Sequence, residues 1–264
     1  MRRRLACLAA AALVLVVAGC GSSSGPPSTT ASTSTSPQTL TVFAAASLKN
    51  TFTTLGRQFE SSHAGTEVTF NFAGSADLVT QLQQGAPADV FAAADTKNMA
   101  KATGDNLVDG TPVDFASNSL EIAVPPDNPA KVASFQDLAK ADVKVVVCAP
   151  EVPCGSAAQK IETATGIVLA PVSEESSVTD VMNKVQTGEA DAGLVYVSDV
   201  QGAGDKVTGV PFSESKEAVN QYPIASLTGR SNPDLAREFI ELVTGPQGQQ
   251  VLADAGFAGP APVR

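Results

Sequence analysis

From Thr39 onward the chain alternates short apolar runs with amphipathic segments, and no other feature limits its fold as tightly. TLTVFAA reads as a strand. The stretch after it sets Leu48, Phe52, Leu55 and Phe59 at helical spacing and stops at Gly65. EVTFNFAG gives a second strand, SADLVTQLQQG a helix ending at Gly85, and ADVFAAA a third strand. Strand and helix alternating at this pitch predict an α/β fold with a mostly parallel sheet.

The middle of the chain repeats the alternation. SLEIAVPP predicts a strand stopped by prolines, SFQDLAKADV a short helix, KVVVCAP a strand and CGSAAQKIETATG a helix. VTDVMNKVQTGEA predicts a further helix, and AGLVYVSDV a strand running into a loop. The last stretch, SNPDLAREFIELVTGPQGQQVLADAGF, predicts two helices broken at Gly245-Pro246. GAGDKVTG has the glycines of a nucleotide loop but no helical pattern behind it, so it reads as a turn.

Ahead of this part stand two segments of other kinds. Arg2, Arg3 and Arg4 precede an apolar run from Leu5 to Ala18, followed by Gly19-Cys20. A basic start, a short apolar stretch and small residues at its end read as an export signal over residues 1–19. The run is short for a membrane-spanning helix, which needs about 20 residues. Val17-Ala18-Gly19-Cys20 resembles a bacterial lipoprotein processing box, which implies cleavage before Cys20 and lipidation of its sulfur. A diacylglyceryl group on Cys20 would be enough for stable anchoring. Residues 20–38, rich in Ser, Thr and Pro, offer almost no apolar side chains to offset their ordering entropy and read as a tether.

Charge excludes some functions. The formal net charge is −10, and losing the three arginines would take it to about −13. Nucleic-acid binding needs a basic footprint, and no Lys/Arg cluster occurs beyond Arg4. Catalysis has little to draw on. The single histidine, His63, sits at a predicted helix end, where the dipole favours it, and no G-x-S-x-G elbow is present. Cys148 and Cys154 without a nearby histidine make a poor zinc site; in an exported chain they read as a disulfide, with two separate thiols as the alternative.

Ser47 and Ser75 each stand between a strand and a helix, after small residues. Each is a reasonable helix N-cap, which needs no ligand. Two such junctions in succession are more telling. In a parallel sheet both lie at the carboxyl ends of the strands, where free N–H groups, hydroxyls and helix dipoles converge on a place suited to an anion.

TVFAAASL, FAGSADL, GAPADVFAAAD, EVPCG, GLVYVSD and GPQGQQVLADAGF succeed one another in the order and spacing of the molybdate-binding proteins of ABC importers, and the chain resembles this ModA-like family over residues 39–264. The resemblance implies a type II periplasmic-binding-protein fold, two α/β lobes joined by a two-stranded hinge with the ligand in the cleft. Lobe 1 would comprise 39–119 plus 226–264 and lobe 2 120–225, with crossings at Leu120–Val124 and near Tyr222–Leu227. It places ligand contacts on Ser47 and Ser75 through hydroxyl and N–H, on Cys154 and Val178 through N–H, and on the Tyr196 hydroxyl.

The resemblance also implies a non-enzymatic, monomeric carrier without a cofactor, lipid-anchored on the extracytoplasmic face of the cell membrane. It would bind molybdate or tungstate and pass it to the transmembrane subunits of an ABC permease. Molybdenum would be present only inside the oxyanion, with no direct protein ligand to the metal. Neutral donors suit such a dianion, since each hydrogen bond to a charged partner contributes about 1.5–3 kcal/mol. Asp77, close to Ser75, is expected to point to solvent from the first helical turn. The alternatives are a binder of sulfate or another oxyanion, an exported serine hydrolase using His63, and a surface interaction module with no small ligand.

Overall fold

The computed structural model describes residues 38–260. The export signal over 1–19, Cys20 and all of the tether but its last residue lie outside the described residues.

Two five-stranded mixed sheets organise the chain. The first contains β1 (Gln38–Ala45), β2 (Thr66–Ala73), β3 (Val90–Ala92), β4 (Val108–Asn118) and β10 (Asn220–Leu227), in the order β2-β1-β3-β10-β4. The second contains β5 (Leu120–Val124), β6 (Val145–Cys148), β7 (Ser173–Glu175), β8 (Ala192–Tyr196) and β9 (Thr208–Val210), in the order β7-β6-β8-β5-β9. Each sheet has three parallel strands and one antiparallel strand beside them, β10 in the first and β5 in the second. This is a two-lobe α/β fold.

The antiparallel strands arise from connectivity. The chain leaves the first sheet at Ser119, between β4 and β5, and returns at Val219, just before β10. Both crossings lie at the carboxyl ends of the parallel strands, so a strand entering from the other lobe runs away from that end. The boundary expected at 226 is corrected. The return falls six residues earlier, because β10 pairs with β4 from Asn220 to Leu227 and with β3 from Ile224 to Ser226.

Helices cover both faces of the first sheet. On one side α1 (Lys49–Ser62), α7 (Pro233–Thr244) and α8 (Pro246–Asp254) close a core built on Phe52, Phe59, Phe115 and Phe239. Phe52 lies 5.8 Å from both Phe115 and Phe239, ring to ring, with the Phe239 ring edge-on. On the other side α2 (Ser75–Gln83) and α3 (Thr96–Gly104) pack over Phe43, Leu78, Phe91 and Met99. The second sheet carries α4 (Pro153–Thr165), α5 (Val178–Gln186) and α6 (Val197–Ala203) around one core that includes Phe135, Ile161, Val181 and Leu194. At the amino ends of the first sheet, the buried Asp89 carboxylate accepts N–H groups from Thr41, Ser231 and Asn232, pinning α7 to β1 and β3.

Several local expectations are corrected. SFQDLAKADV forms only a 3-10 turn, Phe135–Ala139, because Leu138 and Phe135 satisfy the core within one turn. The strand in AGLVYVSDV ends at Tyr196, and VSDV already belongs to α6. Apolar periodicity does not predict the eleven-residue β4, whose first half is largely exposed at the sheet edge and so carries a weak pattern.

Candidate functional site

Six parallel strands end on one small cavity between the lobes. β1 delivers Ala45, Ala46 and Ser47; β2 delivers Gly74 and Ser75; β3 leads to Ala94. From the other lobe, β6 leads to Val152, Pro153 and Cys154, β7 to Val178, and β8 ends in Tyr196. The structure therefore brings Ser47, Ser75, Cys154, Val178 and Tyr196 around a single space. Small side chains at the strand ends let the backbones approach this closely. Its volume is about 10 Å³, the room of one water-sized sphere, and its lining carries no charged side chain.

Neither serine caps a helix, contrary to the expectation from sequence. Ser47 sits inside a 3-10 turn, Ala46–Leu48, and α1 has Leu48 at its N-cap with no side-chain bond. Ser75 is the first residue of α2, whose N-cap is Gly74. The hydroxyls are engaged elsewhere. Ser75 Oγ accepts the Ala94 N–H at 3.0 Å, and the Ser47 hydroxyl hydrogen-bonds the Tyr222 phenol at 3.1 Å. Tyr196 Oη accepts from Asn220 Nδ2 at 2.9 Å. An oxygen that already accepts keeps its proton to give.

Helix starts supply the other donors. Cys154 is the second residue of α4 and Val178 the first of α5, so neither amide has an intrahelical acceptor. α2 and α4 begin without any side-chain cap, leaving their first residues, Ser75 and Cys154 among them, to the cavity. In α5 the Ser177 hydroxyl serves Asp180 N, which leaves the Val178 amide unserved by the cap. A disulfide joins Cys148 to Cys154 with 5.6 Å between their Cα atoms. It ties the end of β6 to the first turn of α4, a constraint of about 2–2.5 kcal/mol on the chain-entropy model.

Two wider spaces flank the cavity. One, of about 530 Å³, is bordered by Ser47, Lys49, Asn50, Met182, Asp199 and Lys206; the other, of about 230 Å³, by Lys49, Asp77, Ser176 and Asp180. Asp77 is exposed in the first turn of α2 and does not reach the inner cavity.

Ionisation in the site is governed by burial. Desolvation raises the Tyr196 phenol well above its ordinary range, and the Tyr222 phenol rises for the same reason, so both stay protonated donors at neutral pH. Desolvation also pushes the Asp199 carboxyl up to about 7, while the Tyr196 N–H it accepts pulls it back.

His63 stands at the opposite end of α1 from Ser47, roughly 20 Å away along the helix axis. Its Nε2 meets Glu238 at 2.8 Å, its Nδ1 meets the Phe59 carbonyl at 2.9 Å, and its ring stacks on Phe59. No cleft serine is within its reach, which removes the base a serine hydrolase would need.

Four contributors carry no signal that singles them out in the sequence. Tyr222 and Asn220 place the hydroxyls, Gly74 lets the lobes meet, and Lys49 borders both flanking spaces. The chain has two tyrosines and both are buried here, a scarcity that marks Tyr222 once Tyr196 is assigned.

The family model for bacterial extracellular solute-binding proteins matches residues 40–258. The chain belongs to this family. It is 53% identical over 223 residues to the molybdate-binding protein ModA of Mycobacterium tuberculosis, covering 84% of this chain and 85% of that protein. It is 31% identical over 229 residues to the Escherichia coli protein of the same name, covering 83% and 88%. The fold matches the Azotobacter vinelandii periplasmic molybdate-binding protein with a TM-score of 0.73 at 21% identity, over 84% of this chain and 100% of that one. The sulfate-binding protein SubI of Mycobacterium tuberculosis shares the fold equally well, with a TM-score of 0.73 at 19% identity over 85% and 88% of the two chains.

Proposed function

We propose that the chain is the extracytoplasmic substrate-binding component of an ABC importer for molybdate, taking tungstate as well, and that it hands the anion to the transmembrane subunits of the permease. It would act as a monomer, held to the membrane through lipid on Cys20. The observation that carries this reading is the neutral, donor-rich cavity. The hydroxyls of Ser75 and Tyr196 already accept a bond from the protein, and no charged side chain lines the space. A fully ionised tetrahedral oxyanion satisfies such donors, each bond contributing about 1.5–3 kcal/mol. A protonated oxyanion such as hydrogen phosphate brings a donor that finds no acceptor among them. The 53% identity to a molybdate-binding protein over most of the chain supports the choice of anion. A cavity of about 10 Å³ has less room than a tetrahedral oxyanion needs, so the lobes part to admit the anion and settle around it.

The second reading is sulfate, favoured by the fold shared with a sulfate-binding protein. Sulfate meets the same donors but is smaller than molybdate, so lobes seated on the larger ion hold it loosely. Calorimetric titration of residues 39–264 with molybdate, tungstate, sulfate and phosphate separates the two. Tight binding of molybdate and tungstate, weak binding of sulfate and none of phosphate are expected. Tight sulfate binding with no heat from molybdate would overturn the assignment.

Affinity should also depend on pH. Asp199 ionises as pH rises through about 7 and places a negative charge behind Tyr196. Molybdate affinity is expected to fall about three- to tenfold between pH 6 and pH 8. Asp199→Asn should flatten that dependence while keeping an acceptor for the Tyr196 N–H. The same group bears on stability. Its folded pKa lies above the ordinary value of 3.8, so its stabilising contribution is full below about pH 4 and lost as pH rises through about 7. An equal slope in both proteins, titrated side by side, would remove Asp199 from the account.

A further inference from the structure

Asn220 opens β10 directly after the return crossing and is 6% exposed. Its register partner is Asn118, the last residue of β4, so the two crossings carry a pair of facing asparagines. The side-chain nitrogen of Asn220 reaches into both lobes. It donates to the Ala94 carbonyl at 2.8 Å in the first and to Tyr196 Oη at 2.9 Å in the second, with the Pro153 carbonyl at 3.4 Å. The Ala94 carbonyl can only accept, which fixes the amide with its nitrogen on this side.

That orientation decides how the Tyr196 phenol can bond. A primary amide nitrogen gives protons and takes none. Tyr196 therefore meets Asn220 as an acceptor, and its own proton is left for a ligand or for the neighbouring Tyr222 oxygen. Tyr222 in turn hydrogen-bonds Ser47. On the other side, Asn220 holds the Ala94 carbonyl, and the N–H of the same residue, in the preceding peptide unit, donates to Ser75. The side chain thus touches both half-sites one bond behind the cavity.

We propose that Asn220 is the positioning residue of the site: its amide makes the Tyr196 oxygen an acceptor, so that the phenol proton is turned away from the crossing and offered to a ligand in the cleft, and its hold on the Ala94 carbonyl steadies the strand end that meets Ser75. It makes no contact with the anion. The proposal rests on the oxyanion-binding reading and deepens it, assigning selection against protonated ligands to a residue at the crossing rather than to the donors alone.

A double-mutant cycle tests it. With the oxyanion that the unmutated chain binds, Asn220→Ala is expected to weaken binding about tenfold in the wild-type background and about threefold in a Tyr196→Phe background. The smaller remainder passes through the Ala94 carbonyl. Equal losses in both backgrounds would overturn the proposal, because a merely structural role does not depend on the Tyr196 hydroxyl. A second readout needs no ligand. Tyr196 and Tyr222 are the chain's two tyrosines, so the Raman tyrosine doublet of a Tyr222→Phe protein reports on Tyr196 alone. Its intensity ratio is expected to shift from acceptor towards donor character on adding Asn220→Ala, and further with the isosteric Asn220→Asp, which also serves if the alanine variant does not fold. An unchanged doublet in the folded variants overturns the proposal even where binding is lost. Absence of heat from every oxyanion with the unmutated chain, beside a shifted doublet, would instead sink the ligand assignment and leave the role of Asn220 standing.

Discussion

Gly74→Ala is expected to lower molybdate affinity about 100-fold while leaving ligand-free thermal unfolding within a few degrees of wild type. Gly74 is the N-cap of α2 and meets the other lobe backbone to backbone. A Cβ there falls on the Ser176 carbonyl oxygen, with a Val152 methyl beside it at 3.6 Å. Neither obstacle is the free end of a flexible side chain. The φ of Gly74 is −59°, which any residue adopts, so the glycine is required by the close approach and not by backbone strain. The added methyl would hold the lobes apart at the cavity's rim. Two second-lobe hydrogen bonds lost at about 1.5 kcal/mol each correspond to about two orders of magnitude. Calorimetry beside a melting curve measures both halves. Unchanged affinity would mean that the lobes meet elsewhere in the bound state.

Ser75→Ala carries the second large effect and differs in kind. Ser75 is 1% exposed, and its oxygen is the acceptor for the Ala94 N–H. Removing it takes away a ligand donor, about 1.5–3 kcal/mol or roughly 10- to 150-fold in affinity. It also leaves a buried N–H unpaired, at about 1–3 kcal/mol of stability. Denaturant unfolding and anion titration should therefore both shift. Ser47→Ala should shift the titration with less effect on unfolding, since Ser47 is half-buried and its partner is a hydroxyl that can turn. Lost stability with unaltered affinity at Ser75 would make it a structural serine only.

Much of the framework is legible along the chain because it depends on near neighbours. Apolar spacing in TVFAAASLKN and EVTFNFAGSADL fixes strand and helix locally, and small residues before each serine mark a tight junction. β10 is less legible, because its polar start, Asn220-Gln221, reads as loop until it is seen paired at the crossing. Local pattern places the serines at helix starts but assigns them the wrong partners. A cap is a contact within three residues, whereas Ser75 serves Ala94 from 19 residues away and Ser47 meets Tyr222 across 175.

Residue order alone establishes the α/β class, the junctions where small residues join strand to helix, and the absence of charge among Ser47, Ser75, Cys154, Val178 and Tyr196. Those are properties of local pattern and side-chain type. Which partner each hydroxyl meets is settled by long-range packing. Asn220 lies 24 residues from Tyr196 and 126 from Ala94, and its amide joins them because the chain crosses between lobes at that point. Hydrogen-bond direction depends on which groups burial brings within about 3 Å, and no local periodicity encodes that.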